Sequence, residues 1–489
     1  MNRPEPGAGP PGSGPGSGGR RRAVVIGGGI AGTTAALRLA DAGVEVTLVE
    51  TRRRLGGLAF SFRRNTPEGT LTIDNGQHVH LRCCTAYTWF LDRVGGSDLA
   101  PVQRRMDVPV LDVAPERPRL GRLRRTALPV PLHLAASLAS YPHLSLAERA
   151  AVGRAALALK GLDPADPALD GIDFATWLHR HGQSERAIEA LWDLVGTATL
   201  NARAPYASMG LAAMVFKTGL LSDPGAADIG VSRVPLGDIH DTLARAALDK
   251  AGVRVLLQSR ARSLVPAPGP CGGWRVGVES GGGPVEEHEA DGVVLAVPQT
   301  EAHGLLPEGA LVNPGSLLEI GTAPILNVHV IYDRKVLRRP FFAALGSPVQ
   351  WVFDRTAPSG LTSGQYLALS QSAAGDEIDR PVAVLRERYL PELERLLPAA
   401  RGATVRDFFV TRERTATFAP SPGVGRLRPG ARTGVPGVFL AGAWTDTGWP
   451  ATMESAVRSG ATAAREALTA LGRPHDDDPV PGTEGRAVA

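Results

Sequence analysis

The segment AVVIGGGIAGTTAALRLADAGVEVTLVE, residues 23–50, carries the strongest structural signal in this chain. It opens with four apolar residues, the length of a short buried strand, and runs into a glycine-rich turn. A helical pattern of apolar residues follows over 33–42, and residues 44–49 form a second apolar run that ends in an acid. The order of strand, glycine turn, helix and strand predicts an α/β nucleotide-binding domain.

Three glycines and one acid give this unit its chemistry. The turn has the spacing Gly27-x-Gly29-x-x-Gly32, and Glu50 closes the second strand. Glycines let the backbone turn tightly and approach a pyrophosphate at the helix N-terminus, where backbone N–H groups are free. An acid at the end of the second strand accepts hydrogen bonds from ribose hydroxyls. Together these residues predict a dinucleotide site.

The residues after this unit distinguish FAD from NAD. Arg54, Gly56 and Gly57 lie in one loop that begins directly after the second strand. The Arg54 guanidinium can reach phosphate oxygens, and paired glycines let the loop pass close to an extended cofactor. A plain NAD domain does not need this extension. We therefore predict FAD as the cofactor.

Composition limits the classes of function. The chain has 489 residues, 43% of them apolar, which is enough for two domains that share one site. Lys plus Arg total 53 against 49 for Asp plus Glu, without a basic stripe, so nucleic acid is not an expected partner. Three cysteines, with Cys83 and Cys84 adjacent, are too few for a disulfide scaffold and lack metal-ligand spacing. We expect a reducing, cytoplasmic setting and no metal site.

Both ends of the chain have compositions that cannot bury much surface. We predict a disordered leader over 1–19 and a disordered tail over 471–489. No stretch is long and apolar enough for a transmembrane helix, and the longest uncharged stretch, 127–146, is interrupted by prolines. This stretch could lie against a membrane, as a peripheral contact with the inner face of the cell membrane, or form a packed corner of loop and helix.

Motifs near the two ends of the chain resemble one superfamily of flavoproteins. DNGQH, residues 74–78, follows the nucleotide unit, and GVFLAGAWTDTGWPATMESAVRSG, residues 437–460, lies near the other end. With the glycine turn, they resemble the superfamily of flavin amine oxidases and phytoene desaturases. Within it, the two motifs are similar to those of hydroxysqualene dehydroxylases, also called squalene-associated FAD-dependent desaturases. The resemblance covers about residues 22–470.

The resemblance implies an architecture of two domains. A Rossmann-like FAD-binding domain of the amine oxidase and phytoene desaturase type would carry an inserted α+β substrate domain. The FAD-binding domain would be discontinuous, built from residues 20–80, 221–300 and 405–470. The substrate domain would comprise residues 81–220 and 301–404.

The resemblance also assigns further cofactor-binding residues. The backbone N–H of Met453, at the start of a helix, would stabilise the negative charge of a reduced flavin. Gly442 would end the preceding strand. Asp446 would replace the acidic residue that the superfamily usually has at the position of Ala443. Ala261 would contact the adenine through its backbone.

The segment DNGQHV, residues 74–79, supplies the candidate catalytic residues, His78 and Gln77. By the order of elements in the superfamily it would lie beside the flavin ring, with Gly76 where the backbone passes close to that ring. His78 suits a proton donor because its ordinary pKa is near neutrality, and the alternative is a histidine that only orients the loop. Gln77 and Asn75 are expected to bond the flavin or the loop backbone.

We predict an FAD-dependent oxidoreductase that acts on a C30 isoprenoid, namely the reductive dehydroxylation of hydroxysqualene to squalene. It would take a hydrophobic isoprenoid substrate and electrons from a donor that the sequence does not identify. The alternatives are a carotenoid-type desaturase or isomerase, a flavin amine oxidase, and a prenyl-lipid carrier without catalysis. An amine substrate is disfavoured because Thr452 stands where the amine oxidases place an aromatic residue, and no lysine lies near the motifs.

Overall fold

The computed structural model describes residues 21–268, 272–473 and 480–481. The predicted leader, 1–19, lies outside the described residues, as do 474–479 and 482–489 of the predicted tail. Val480 is described, and its side chain is buried in the same apolar cluster as Leu468. Val480 thus packs against the core, while the extent of the predicted tail stays a prediction.

The described residues form runs of strands and runs of helices, and the first unit, residues 22–49, alternates strand and helix closely. The strands are β1 (Arg22–Ile26), β2 (Glu45–Val49), β3 (Ser61–Thr66), β4 (Gly69–Asp74), β5 (Val79–Leu81), β6 (Asp107–Asp112), β7 (Arg119–Arg124), β8 (Ile229–Val231), β9 (Arg254–Leu256), β10 (Ser259–Pro266), β11 (Trp274–Ser280), β12 (Val285–Ala290), β13 (Gly292–Leu295), β14 (Thr322–Tyr332), β15 (Phe341–Leu345), β16 (Trp351–Asp354), β17 (Gln365–Gln371), β18 (Val405–Phe418) and β19 (Val438–Leu440). The α-helices are α1 (Ile30–Asp41), α2 (Thr85–Val94), α3 (Ala135–Ala139), α4 (Leu146–Lys160), α5 (Pro167–Asp170), α6 (Phe174–Arg180), α7 (Glu185–Ala187), α8 (Asp193–Leu200), α9 (Met209–Phe216), α10 (Ala244–Lys250), α11 (Gln299–Leu305), α12 (Ser316–Glu319), α13 (Thr356–Ser359), α14 (Val382–Leu396) and α15 (Met453–Ala470). Three segments are π-helical, Ile188–Trp192, Lys217–Leu221 and Asp238–Leu243.

A five-stranded parallel sheet, in the order β19-β13-β1-β2-β9, forms the nucleotide-binding half. β1 pairs in parallel with both β2 and β13, and every residue of β1 except Arg22 is buried. Parallel sheets are covered on both faces, which explains why residues 23–26 of the first strand are all apolar. α1 and α15 pack on this sheet and on each other. The predicted α/β fold, with a Rossmann-like unit at its start, is confirmed.

The close packing of α1 and α15 depends on Gly460, which has no side chain. A Cβ atom at Gly460 would lie 2.1 Å from the carbonyl oxygen of Ala31 and 3.0 Å from Cβ of Thr34. α1 follows the glycine turn, and α15 begins at Met453. This contact therefore brings together the two ends of the chain that carry the motifs.

A seven-stranded sheet, in the order β18-β14-β17-β16-β15-β6-β7, forms the second half. β18 lies in the segment 405–470 that the sequence division assigned to the FAD-binding domain, but it pairs with β14 in the other sheet. The local sequence pattern gives no sign of this pairing, because β14 is far away in the sequence. The domain boundaries stay predictions.

The uncharged stretch 127–146 folds partly as α3. Next to this helix His133 is buried, whereas Leu128, Leu132 and Leu146 are 51%, 54% and 78% exposed. One side of the stretch therefore packs inward and the other presents apolar side chains. No described helix combines the length and the apolar character that crossing a membrane requires.

We predict that Gly460→Ala lowers the free energy of unfolding by about 1–3 kcal/mol, because the new methyl group overpacks the contact with Ala31. The measurement is urea unfolding. The matched control is Gly153→Ala in α4, where a Cβ meets nothing within 4 Å. That variant should gain up to about 1 kcal/mol from helix propensity. Equal effects of the two substitutions would contradict the close-packing argument.

Candidate functional site

The glycine turn between β1 and α1 has a conformation that only glycine tolerates. Gly27 has a φ of +110°, and a Cβ there would lie 2.2 Å from the carbonyl oxygen of Ala296. A Cβ at Gly32 would lie 1.9 Å from the carbonyl oxygen of Gly27. At Gly29 a Cβ would have Cα of Gly57 as its nearest neighbour, 3.7 Å away. The turn therefore has no room for a side chain at Gly27 or Gly32, but it is open at Gly29. A phosphate-binding turn at a helix N-terminus requires such an open position.

Glu50 is buried at the end of β2, with both carboxylate oxygens engaged by the backbone. Its Oε2 accepts from the Gly28 N–H at 2.7 Å, and its Oε1 accepts from the Arg52 N–H at 2.7 Å. Each carboxylate oxygen can accept two hydrogen bonds. The carboxylate thus fixes the glycine turn and keeps acceptor capacity for a ribose hydroxyl.

The paired-glycine loop lies directly against the glycine turn. The Gly56 N–H donates to the Gly28 carbonyl at 2.9 Å, and a Cβ at Gly57 would lie 2.9 Å from Cα of Gly29. Arg54 donates to the Gly57 carbonyl at 3.0 Å, and its guanidinium lies 3.4 Å from the ring centroid of Phe60. Burial, followed by the charge of Arg52, lowers the pKa of Arg54. A cavity of about 630 Å³ opens here, lined by Thr51, Arg52, Arg53, Arg54, Phe60, Gln258 and Gly281.

Ala261, predicted to contact the adenine, lies on β10 near this cavity. β10 begins at Ser259, whose N–H donates to the Glu50 carbonyl at 2.9 Å. Ala261 is buried two residues further along and pairs with Val278. The structure thus brings Ala261 close to Glu50, while its contact with adenine stays a prediction.

The C-terminal motif places Met453 at the first residue of α15. Thr452 caps this helix, because its hydroxyl accepts from the Ser455 N–H at 3.1 Å. The Met453 N–H has no acceptor among the described residues, so it is available to an external group. Gly442 follows β19, and its N–H donates to the Ser459 hydroxyl at 2.9 Å.

Asp446 lies in the exposed turn between β19 and α15. Its Oδ1 accepts from the Gly448 N–H at 3.3 Å, and its own N–H donates to the Pro429 carbonyl at 2.9 Å. The described contacts of Asp446 therefore lie within its own turn and with the preceding loop. Its role with the ribityl chain stays a prediction.

Asn75 holds the DNGQHV segment against the paired-glycine loop. Its Oδ1 accepts from the Phe60 N–H at 3.1 Å, and its Nδ2 donates to the Leu58 carbonyl at 2.9 Å. Nδ2 also donates to Oε1 of Glu413 at 3.1 Å. Burial raises the pKa of Glu413, while this hydrogen bond lowers it. The side chain of Asn75 is thus satisfied by the loop backbone and Glu413.

The three residues after Asn75 are placed differently from one another. Gly76 is buried, and a Cβ there would lie 3.1 Å from Nδ2 of Asn327. Gln77 is half-buried, and its Nε2 has no hydrogen-bond partner among the described residues. The Nδ1 of His78 lies 3.3 Å from the Gly76 carbonyl oxygen, and burial lowers the pKa of this imidazole. The catalytic roles of Gln77 and His78 stay predictions.

A buried polar path joins α15 to the DNGQHV region, and sequence reasoning missed it. The carboxylate of Glu454 accepts from the Tyr87 N–H at 2.7 Å, at the start of α2. The Tyr87 hydroxyl bonds Nε2 of His240 at 2.9 Å, and Nδ1 of His240 lies 3.1 Å from the Ala59 carbonyl oxygen. The only available signal was an acid next to Met453, which is common at the first turn of a helix.

A buried ion pair anchors the start of the same segment. Oδ2 of Asp74 accepts from Arg355 at 2.8 Å, and both side chains are almost fully buried. Oδ1 of Asp74 accepts from the Ser61 hydroxyl at 2.6 Å and from the Leu236 N–H at 2.9 Å. Arg355 lies far away in the sequence, so no local pattern indicated it. The pair fixes where the DNGQHV segment begins.

These observations fit an extended flavin dinucleotide. The glycine turn has no room for a Cβ at Gly27 or Gly32, and Glu50 keeps acceptor capacity for a ribose hydroxyl. The Met453 N–H has no acceptor among the described residues. The Gln77 amide supplies a further buried donor without a partner among the described residues. The glycine turn, the paired-glycine loop and the side chain of Asn75 therefore form one connected region.

Comparison with known proteins supports the same cofactor. A family model described as flavin containing amine oxidoreductase matches residues 30–468. The chain is 32% identical over 452 residues to hydroxysqualene dehydroxylase from Rhodopseudomonas palustris, covering 91% of this chain and 98% of that protein. It is 28% identical, with the same coverage, to hydroxysqualene dehydroxylase from Sinorhizobium fredii. Cyclohexylamine oxidase from Brevibacterium oxydans has the same fold, with a TM-score of 0.66 and 19% identity over 93% of this chain and 100% of that one.

We predict that Glu50→Gln weakens FAD binding by at least about tenfold, because the substitution removes one acceptor from the carboxylate that holds the glycine turn. The measurement is titration of deflavinated protein with FAD, followed by flavin fluorescence. Glu45→Gln, at an exposed position on the same strand, is the matched control and should bind as the parent does. Unchanged affinity in Glu50→Gln would remove Glu50 from the cofactor site.

We predict that acidification destabilises the protein through its buried histidines. Burial lowers the pKa of His80 and of His240 to about 4 and that of His329 to about 3. The unfolded chain titrates near 6.5, so it binds more protons than the folded chain below that pH. The free energy of unfolding should fall between pH 6.5 and 4, by roughly 1.4 kcal/mol per pH unit for each histidine.

Urea unfolding at several pH values between 7.5 and 4.5 measures this slope. His80→Gln removes one titrating group, so its slope should be shallower than that of the parent by about one proton. Comparing the two slopes cancels the contribution of the carboxyl groups. Identical slopes would contradict the burial of a neutral His80.

Proposed function

The chain belongs to the flavin containing amine oxidoreductase family and is an FAD-dependent oxidoreductase, and we propose that it converts hydroxysqualene to squalene. In this reaction a C–O bond breaks, the hydroxyl takes up a proton and leaves as water, and a hydride forms the new C–H bond. When bound and reduced, FAD would supply this hydride, and an external donor would return two electrons, together with one proton, to restore the reduced cofactor. The protein must supply the proton and exclude water from the reacting carbon.

One observation carries this proposal. The similarity to a relative named hydroxysqualene dehydroxylase extends over 98% of that protein at 32% identity. It is therefore not confined to the nucleotide-binding unit, which many flavoproteins share. The half of the chain expected to hold the substrate is included in the match.

The residues around His78 are suited to proton transfer. The Gly76 carbonyl can only accept a hydrogen bond, so Nδ1 of His78 carries a proton and donates it. Nε2 is then the atom that can hold and release a second proton to a leaving hydroxyl. Burial lowers the pKa of His78, which makes the protonated ring a stronger acid.

The chain's cationic residues argue against an amine substrate. The chain has lysines at 160, 217, 250 and 335. None of them lies between the paired glycines and His78 (56–78), or between Gly442 and Met453 (442–453). The side chain of Lys217 donates to the Leu162 carbonyl, and Thr452 caps α15. The amine oxidase among the solved structures shares the fold at 19% identity, which carries no information on substrate.

We also propose a peripheral contact between the 127–146 stretch and a membrane surface. Its apolar side is exposed at Leu128, Leu132 and Leu146. A hydrophobic isoprenoid partitions into a bilayer, so an enzyme that acts on it benefits from contact with that surface. This contact would give the substrate a route into the protein that avoids bulk water.

Anaerobic incubation of the reduced protein with hydroxysqualene tests the proposed reaction. We expect flavin reoxidation with formation of one squalene per flavin. His78→Gln should bind FAD normally and turn over at least about 100-fold more slowly, the usual contribution of general acid catalysis. The control is His179→Gln, which changes an exposed histidine paired with Glu185 and should leave turnover unchanged.

Each result has a defined meaning. If hydroxysqualene leaves the reduced flavin unchanged while the oxidised protein desaturates a polyene precursor, the protein is a desaturase. If His78→Gln turns over at the parent rate, His78 is not the proton donor. A protein that does not bind flavin would contradict both enzyme hypotheses.

A further inference from the structure

The carbonyl oxygen of Asn75 receives two hydrogen bonds from the seven-stranded sheet. Nδ2 of Asn327, on β14, donates to it at 3.0 Å. The hydroxyl of Thr411, on β18, donates to it at 2.7 Å. Neither interaction involves the side chain of Asn75, which is occupied by the paired-glycine loop and Glu413. The peptide bond between Asn75 and Gly76 is therefore held from the side of the second sheet.

Thr411 is the last member of a chain of hydrogen bonds within the sheet, in which every donor points toward Asn75. Thr411 has one hydroxyl proton, which goes to Asn75, so its oxygen accepts from Nε2 of His329 at 3.0 Å. A neutral histidine with a proton on Nε2 has an acceptor at Nδ1, which lies 2.7 Å from the Tyr366 hydroxyl. The proton order is thus Tyr366 to His329, His329 to Thr411, and Thr411 to Asn75.

The surroundings of His329 keep it in this neutral form. The ring is fully buried and stacks on Phe409 with centroids 4.5 Å apart. The guanidinium of Arg64 lies 3.9 Å from the centroid of the same Phe409 ring. Burial, followed by the charge of Arg64, lowers the pKa of His329 to about 3. The direction of the chain of hydrogen bonds is therefore constant at physiological pH.

Fixing this carbonyl also fixes the N–H group on the other side of the peptide. The bond between Asn75 and Gly76 is trans, so the Gly76 N–H points away from the Asn75 carbonyl and from the sheet. Gly76 is buried, and its N–H has no acceptor among the described residues. Leaving a buried donor without an acceptor is costly, so such groups are nearly always paired with some partner.

A second unpaired donor lies on the residue that follows Gly76. Nε2 of Gln77 is buried without a partner among the described residues. Asn75 joins this place to Leu58 and Phe60, next to Gly57, which lies against Gly29 in the glycine turn. Two unpaired donors therefore adjoin the loop that is expected to follow the extended cofactor.

We infer that the Gly76 N–H is a fixed hydrogen-bond donor to an acceptor atom of the bound FAD ring, and that Tyr366, His329 and Thr411 are its positioning residues. A reduced flavin ring is more negative than an oxidised one, so a preorganised donor stabilises the reduced state more strongly. The chain of buried hydrogen bonds strengthens this donor by polarising the peptide. The inference depends on FAD binding alone and is independent of the substrate proposed above.

The test is the midpoint potential of the flavin in the holoenzyme, measured by equilibration with a reference dye. Thr411→Val keeps the shape of the side chain but removes the hydroxyl. We expect it to lower the potential by about 30 mV, the equivalent of a tenfold change in equilibrium constant for a two-electron couple. Thr411→Ser keeps the hydroxyl and should keep the parent potential.

Hydrogen exchange measured by mass spectrometry provides a second readout on the parent protein, in case Thr411→Val does not fold. A peptide that spans residues 74–80 should gain protection at one or two amides when deflavinated full-length protein is loaded with FAD. A parent potential in Thr411→Val would overturn the inference. So would equal lowering in the Val and Ser variants, or unchanged exchange on FAD loading.

Discussion

The contact between Gly460 and Ala31 underlies the arrangement of the whole site. A side chain at Gly460 would collide with the Ala31 carbonyl, so only glycine lets α15 lie this close to α1. α1 follows the glycine turn after β1, the central strand of the parallel sheet, and α15 begins at Met453, after the edge strand β19. Because their backbones approach so closely, the positive N-terminal ends of both helices would be available to one extended anionic cofactor.

Buried polar groups then join the two halves of the protein at the DNGQHV segment. Asp74 is tied to Arg355, and the carbonyl of Asn75 is tied to Asn327 and Thr411. Each of these groups would be costly if left unpaired, so the segment has few alternative positions. Rigid placement of this kind is what a site needs to hold a flavin ring in a fixed position.

Prediction from the sequence succeeded where the determinants are close together. The strands β1 and β2, the helix α1 and the start of α15 lie within a few residues of their predicted positions. The flavin family and the FAD cofactor were also predicted correctly. The sequence did not indicate that β18 pairs with β14 or that Val480 is buried, because strand pairing and burial depend on residues far away in the chain.

Local sequence was enough to establish the nucleotide-binding unit. Its two strands, its glycine turn and its terminal acid lie within fewer than thirty residues, and their arrangement follows from the steric limits of the backbone. It could not show what holds Asn75, because Asn327 is 252 residues away and Thr411 is 336 residues away. The proton order from Tyr366 to Asn75 depends on which groups are buried side by side. Burial and hydrogen-bond direction are properties of the folded chain, and only folding brings those side chains within bonding distance.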